Sequence, residues 1–369
     1  MSSDRVQELV RKSRELGDTP EKVALLEEAV RIADSINDEE AGFNSRIQLI
    51  DAAEWSGLDE RAVVAFSWCL AYWDRNNEDS IVSNYQLLWR YKWIICDIAD
   101  NLRIDLGKLE EMLDDFERRY RENGSSIRTV HYMRWTNYQE IGLPELTEKY
   151  FELWLQEPRD YLSDCHACEL NKKVKYKLLT GQPEEAFELV QPILEKRLTC
   201  KSIPKGTYSY LLRPAVMMGN NQYAAELQRT GYRAVSRDPA FSNHFCEHML
   251  YFVQIGNPRR ALELFRKHFA SCYQYDVANR TNKNTLLTFI AGAAVMQTNA
   301  AERTRKQIKL LLPREIECFR EDHKYDLQEL ADWFQQKTDD LAARFDKRHG
   351  NDYFARCVEN RTAYAAFET

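Results

Sequence analysis

Asp164-Cys165-His166-Ala167-Cys168 is the segment whose residue types and spacing come closest to a reactive site. Ser163 or Asp164 is placed to cap a helix, which puts both thiols in its first turn. There the positive helix end favours the thiolate. A Cys-x-x-Cys pair can be a redox couple, half of a zinc site, or two small packing residues. A redox couple expects a βαβ surrounding that this sequence lacks. Structural zinc needs four ligands. The next candidates, His244, Cys246 and His248, fall about two repeat units downstream, and only adjacent units touch in a stacked array. Packing against the preceding repeat is the expectation for Cys165 and Cys168, with metal or redox chemistry as the alternative.

Other constellations are weaker. His244 and His248 share a helix face, but Glu247 stands directly before the second histidine, so the zinc-protease spacing fails. Asp114-Asp115 and Asp339-Asp340 are adjacent on a helix and point apart. The sequence contains no phosphate-cradling glycine loop, dinucleotide turn or Gly-x-Ser-x-Gly elbow. The expectation is a chain that is not an enzyme, with no catalytic residue, no metal and no cofactor.

The elements that must position these residues are helical. Glycine numbers only 13 and proline 10 in 369 residues, too few for many strands joined by tight turns. One phrase recurs: Gly, a short polar turn, then a new amphipathic helix with a small residue near its start. It reads Gly181-Gln182-Pro183-Glu184-Glu185-Ala186 and Gly256-Asn257-Pro258-Arg259-Arg260-Ala261. It also begins at Gly57, Gly142 and Gly219, and in a longer form at Gly17. Consecutive copies stand 37 to 40 residues apart, apart from one double interval between Gly57 and Gly142. Gly closes one helix in the left-handed conformation, and Pro suits the first turn of the next. Small residues such as Ala62, Ala224 and Ala261 admit a close helix approach, and Phe66, Phe151 and Phe265 fill the space beside it.

This pattern resembles the tetratricopeptide repeat family. Ala62, Phe66 and Cys69 match the small–aromatic–small positions of that family's second helix, and Ala224 and Gly231 match its two small positions. The period is longer than the family's 34 residues. Trp135, Val174, Leu212 and Met249 stand where the family carries Gly or Ala. The resemblance implies an all-α superhelix, a solenoid of about eight helix pairs over residues 1–310, with residues 311–369 as a helical cap. Tyr325 to Phe345 is expected to form one long amphipathic helix in that cap.

The resemblance further implies a peptide- or protein-binding scaffold whose first helices line a groove. Asn171, Lys175, Ser209, Arg213, Asn44 and Asp51 are then the groove candidates. A peptide-responsive regulator of the same family type is an alternative.

Charge sets the expected partner. Residues 1–160 carry 20 basic against 33 acidic side chains, and the remainder 31 against 25. Basic stretches run over 196–237, with Arg197, Lys201, Lys205 and Arg213, and over 279–309, with Arg280, Lys283, Arg303 and Arg305. An acidic protein or peptide on the basic half fits this balance, and the net charge of −7 argues against nucleic acid. Nine scattered cysteines and a charged start read as a reduced, cytoplasmic chain without a secretory leader.

Overall fold

The structure is a computed structural model that describes residues 3–76, 84–238, 241–274, 283–304 and 306–359. The chain divides into two compact units, Met1–Ser163 and Asp164–Thr369. Both are helical, and their helix pairs repeat. Among the described residues the exception is one short antiparallel strand pair, and no helix is long and apolar enough to cross a membrane.

The first unit contains α1 (Ser3–Ser13), α2 (Pro20–Ser35), α3 (Glu39–Ser56), α4 (Asp59–Arg75), α5 (Asn84–Asp100), α6 (Leu106–Glu122), α7 (Arg128–Glu140) and α8 (Pro144–Gln156). Each helix packs on the next, and α1, α3, α5 and α7 also touch in sequence, forming a row. The second unit contains α9 (His166–Leu179), α10 (Pro183–Leu189), α11 (Gln191–Leu194), α12 (Thr207–Tyr210), α13 (Leu212–Met217), α14 (Asn221–Val235), α15 (Ser242–Gln254), α16 (Pro258–Gln274), α17 (Lys283–Glu302), β1 (Gln307–Lys309), β2 (Lys324–Asp326), α18 (Leu327–His349) and α19 (Tyr353–Glu359). Here α12 and α13 both rest on α15, which in turn meets α17.

The recurring turns have one physical form. Gly57, Gly142, Gly181, Gly219 and Gly256 all take φ between 67° and 74°. After each, the next residue donates its backbone N–H to the carbonyl five positions back, as in Leu58 to Ala53, Gln182 to Lys177 and Asn257 to Phe252. This double reversal satisfies carbonyls that a helix end leaves open. Gly17 departs from the pattern and is not left-handed. There the following helix is started by Thr19, whose hydroxyl accepts from Lys22 N–H, with Pro20 at the first position.

The small residues at the turns are buried as their spacing requires: Ala62, Ala186, Ala224 and Ala261 have no exposed surface. In the first unit, ion pairs tie neighbouring helices together. The Arg46 guanidinium meets Asp34 at 2.7 Å and lies 3.9 Å from the centre of the Trp68 ring. Arg119 reaches Asp74 at 2.7 Å and Asp115 at 2.8 Å. Arg134 reaches Asp114 at 2.6 Å. Asp114 and Asp115 thus serve two different buried arginines, rather than facing only solvent.

The segment after Pro313 belongs to the second unit, where α18 lies along α17. A Cβ on Gly292 would stand 2.7 Å from the Phe334 ring, so glycine is what lets that ring seat. The long helix starts later than its apolar pattern suggests. Tyr325 lies in β2, paired with Ile308 of β1, and Asp326 caps α18 by accepting from the N–H groups of Gln328 and Glu329.

Candidate metal centre

The thiol cluster is built from one helix start and one loop. Cys165 is itself the N-cap of α9, and its sulfur accepts the Cys168 N–H at 3.4 Å. The cap is therefore the thiol, not Ser163 or Asp164. Cys168 follows in the first turn, so both sulfurs sit at the positive helix end. Cys200 comes from the loop between α11 and α12. Its backbone N–H donates to the Ile203 carbonyl at 2.9 Å, and Gly206 N–H closes on the Ser202 carbonyl at 3.1 Å. The Ile203–Pro204 peptide bond is cis. This folded loop brings the Cys200 sulfur to 3.5 Å from that of Cys168.

All three sulfurs lie within 4.8 Å of one another, and the group has Cys165 exposed with Cys168 and Cys200 half-buried. A tetrahedral zinc ion with bonds of about 2.3 Å sets its sulfurs about 3.8 Å apart. The observed spacing therefore brackets what a thiolate-bound ion needs. Burial and the neighbouring Cys200 and Cys165 thiols push the Cys168 pKa up. Burial also opposes ionisation of Cys200, but hydrogen bonding from the Ser202 hydroxyl and the backbone at 202 and 203 outweighs it, and the pKa falls. Cys200 thus offers a thiolate more readily than Cys168, and a bound cation would draw the proton from Cys168.

This cluster corrects the expectation of a chain that is not an enzyme. Three thiols gathered at one helix start suit a cofactor or catalytic site better than an inert packing role. Cys200 was missed because pairing was sought at His244, Cys246 and His248. Its signal was its distance of 32 residues from Cys168, close to one repeat, where adjacent units touch. Cys246 instead lies beside Thr288. His248 is fully buried, with neither ring nitrogen hydrogen-bonded.

The groove candidates of the second unit converge on a different place. Asn171 is buried and accepts hydrogen bonds from the Thr207 hydroxyl, at 2.8 Å, and from the Tyr210 hydroxyl. Ser209 is buried and donates to the Gly206 carbonyl at 3.0 Å. Its oxygen also lies 2.5 Å from His244 Nδ1. Lys175 stands over the Tyr210 ring at 4.9 Å. Burial, with Lys172 nearby, lowers its pKa to about 7. Burial raises Glu247 to about 7 against the opposing pull of Lys175 and Arg213. Burial, then Lys175 and His248, holds His244 down to about 3. The result is a polar cluster of Lys175, Arg213, His244 and Glu247, of which the two cations are groove candidates by sequence and His244 and Glu247 are named there only for their spacing on one helix.

In the first unit, Asn44 is exposed on α3, while Asp51 is half-buried and pairs with Arg90 at 2.5 Å. Of the basic stretches, Arg197 pairs with Glu195 at 2.6 Å and Lys205 with Asp238 at 3.6 Å. Arg280 and Arg305 lie outside the described residues.

A scan against protein-family models and a search of curated proteins return no match to this chain.

Proposed function

We propose that this chain is a metalloprotein in which Cys165, Cys168 and Cys200 hold a soft divalent ion, zinc by the chemistry of the ligands. The single observation that carries this reading is the convergence of the three sulfurs within 4.8 Å. Three protein ligands leave one position of a tetrahedral ion open, which is the arrangement of catalytic rather than closed structural sites. The test is metal content of the purified full chain, followed by titration with Co²⁺. About one equivalent, with sulfur-to-cobalt charge-transfer absorption that Cys168→Ser removes, supports the reading. Less than about a tenth of an equivalent in both measurements overturns it.

The 3.5 Å separation of the Cys168 and Cys200 sulfurs favours a second reading, thiol–disulfide exchange. In it, a small-molecule disulfide is reduced to two thiols as Cys168 and Cys200 lose two protons and two electrons and form one bond. Titration with that disulfide, read by intact mass, distinguishes it from metal binding.

The five identical glycine turns support a tetratricopeptide-type array as the frame for this site, with residues 311–369 as its cap. In that frame Lys175 and Arg213 would meet an acidic peptide or protein.

A further inference from the structure

We propose that the fourth ligand of the metal ion is a thiolate brought by another molecule, so that the three-cysteine site captures and activates thiols. The inference rests on the metal reading above and adds the class of ligand.

Among the described residues the ligand group consists of Cys165, Cys168 and Cys200 alone. Three thiolates on a divalent ion leave the centre with one net negative charge. Such a centre polarises bound water less than an ion held by neutral imidazoles, and its soft donor set favours a further sulfur over water or a carboxylate. Capturing a thiolate makes the net charge −2, and the site is built to carry negative charge. Cys165 and Cys168 sit at the N-terminal end of α9, a helix of 14 residues, whose positive end favours negative charge. The Cys168 N–H already points at the Cys165 sulfur at 3.4 Å, and the Ser202 hydroxyl lies 3.6 Å from the Cys200 sulfur.

Access agrees with this role. Cys165 is exposed while the other two cysteines are half-buried, so one edge of the site faces solvent and a bulky thiol can reach the ion. The step is a ligand exchange without redox change. The incoming thiol loses its proton to solvent, a metal–sulfur bond forms, and any water at that position leaves. The bound sulfur gives one lone pair to the metal bond, keeps two, and remains nucleophilic at a pH where a free thiol is mostly protonated.

The same chemistry can come from a small-molecule thiol or from a cysteine side chain of another protein. The experiment uses the full chain loaded with Co²⁺ and kept reduced by a phosphine in place of a thiol. 2-Mercaptoethanol is added in one arm. A short cysteine peptide is added in the second, with its serine counterpart as control. In either arm, the expected result is a rise of about one third in the sulfur-to-cobalt charge-transfer band, as three thiolates become four, with release of one proton per site. Half-saturation at least tenfold lower for the peptide than for 2-mercaptoethanol identifies a protein cysteine as the ligand. Comparable values identify a small thiol. An unchanged spectrum in both arms, or the same change with the serine peptide or imidazole, overturns the proposal. A spectrum that stays unchanged until His166→Ala is introduced also overturns it, because His166 then fills the fourth position. Failure of Co²⁺ to bind at all would instead count against the metal site itself.

Discussion

The sulfurs of Cys168 and Cys200 lie 3.5 Å apart, joining the first turn of α9 to the loop that leads into α12. The same two elements meet again one turn further along, where Thr207 and Tyr210 of α12 both donate to Asn171 of α9. The thiol cluster and the polar cluster are therefore attached to one helix pairing.

Metal removal is expected to destabilise the second unit. With free metal a thousandfold above its Kd, linkage gives about 4 kcal/mol. Thermal unfolding should therefore shift downward on adding a chelator to the native protein and leave Cys200→Ser unaffected.

Asn171→Ala removes the one acceptor shared by two buried hydroxyls, those of Thr207 and Tyr210. Each of the two lost hydrogen bonds costs about 1–2 kcal/mol. Urea unfolding of the variant should show a loss of about 2–4 kcal/mol, larger than for an alanine at the exposed Asn44 of α3.

Glu247 supplies a pH test. Burial raises its pKa from 4.5 to about 7 in the folded chain. The folded state therefore holds a proton that the unfolded state releases between these values. That proton favours folding below pH 4.5, and the advantage is lost as pH rises through 7. Glu247→Gln keeps the shape without the titration. Relative to wild type, the variant should gain stability steadily between about pH 4.5 and 7 and plateau above, as read from denaturation midpoints across that range. A pH-independent difference would contradict the burial assigned to Glu247.

Two glycines with open space around them should behave differently. Gly181 has φ +68°, with nothing within 4 Å of an added Cβ, so Gly181→Ala should cost about 1–2 kcal/mol through backbone strain alone. Gly17 is equally open but not left-handed. Gly17→Ala should be neutral or slightly stabilising in the same denaturation assay.

Gly292→Ala should destabilise through packing instead, by about 1–3 kcal/mol, because its methyl would press on the Phe334 ring. Combining it with Phe334→Leu should recover part of the loss, measured as a double-mutant cycle.

Much of the architecture was legible in the sequence because its determinants are local. A glycine whose neighbours reverse the chain, a proline at a helix start and an alanine at a helix crossing each act within a few residues. That is why the turns at Gly57, Gly142, Gly181, Gly219 and Gly256 could be read directly. Tyr325 was misplaced for the opposite reason. Its side chain continues a helical apolar pattern, but its backbone pairs with Ile308, 17 residues away in sequence, and periodicity carries no trace of that pairing.

The chemistry depended almost wholly on tertiary structure. By sequence alone, Cys165 and Cys168 are a Cys-x-x-Cys pair expected to pack, with metal or redox chemistry as the alternative, and Cys200 is one scattered cysteine among nine. The α11–α12 loop folds back so that Cys200 meets the start of α9. The packing of α9, α12, α13 and α15 turns Lys175 and Glu247 from surface charges into half-buried groups with pKa values near neutrality. Helix identity follows from contacts three or four residues apart, which the sequence spells out. The spacing of sulfurs and the removal of water from a charge follow from residues tens of positions apart, and only the folded chain brings those together.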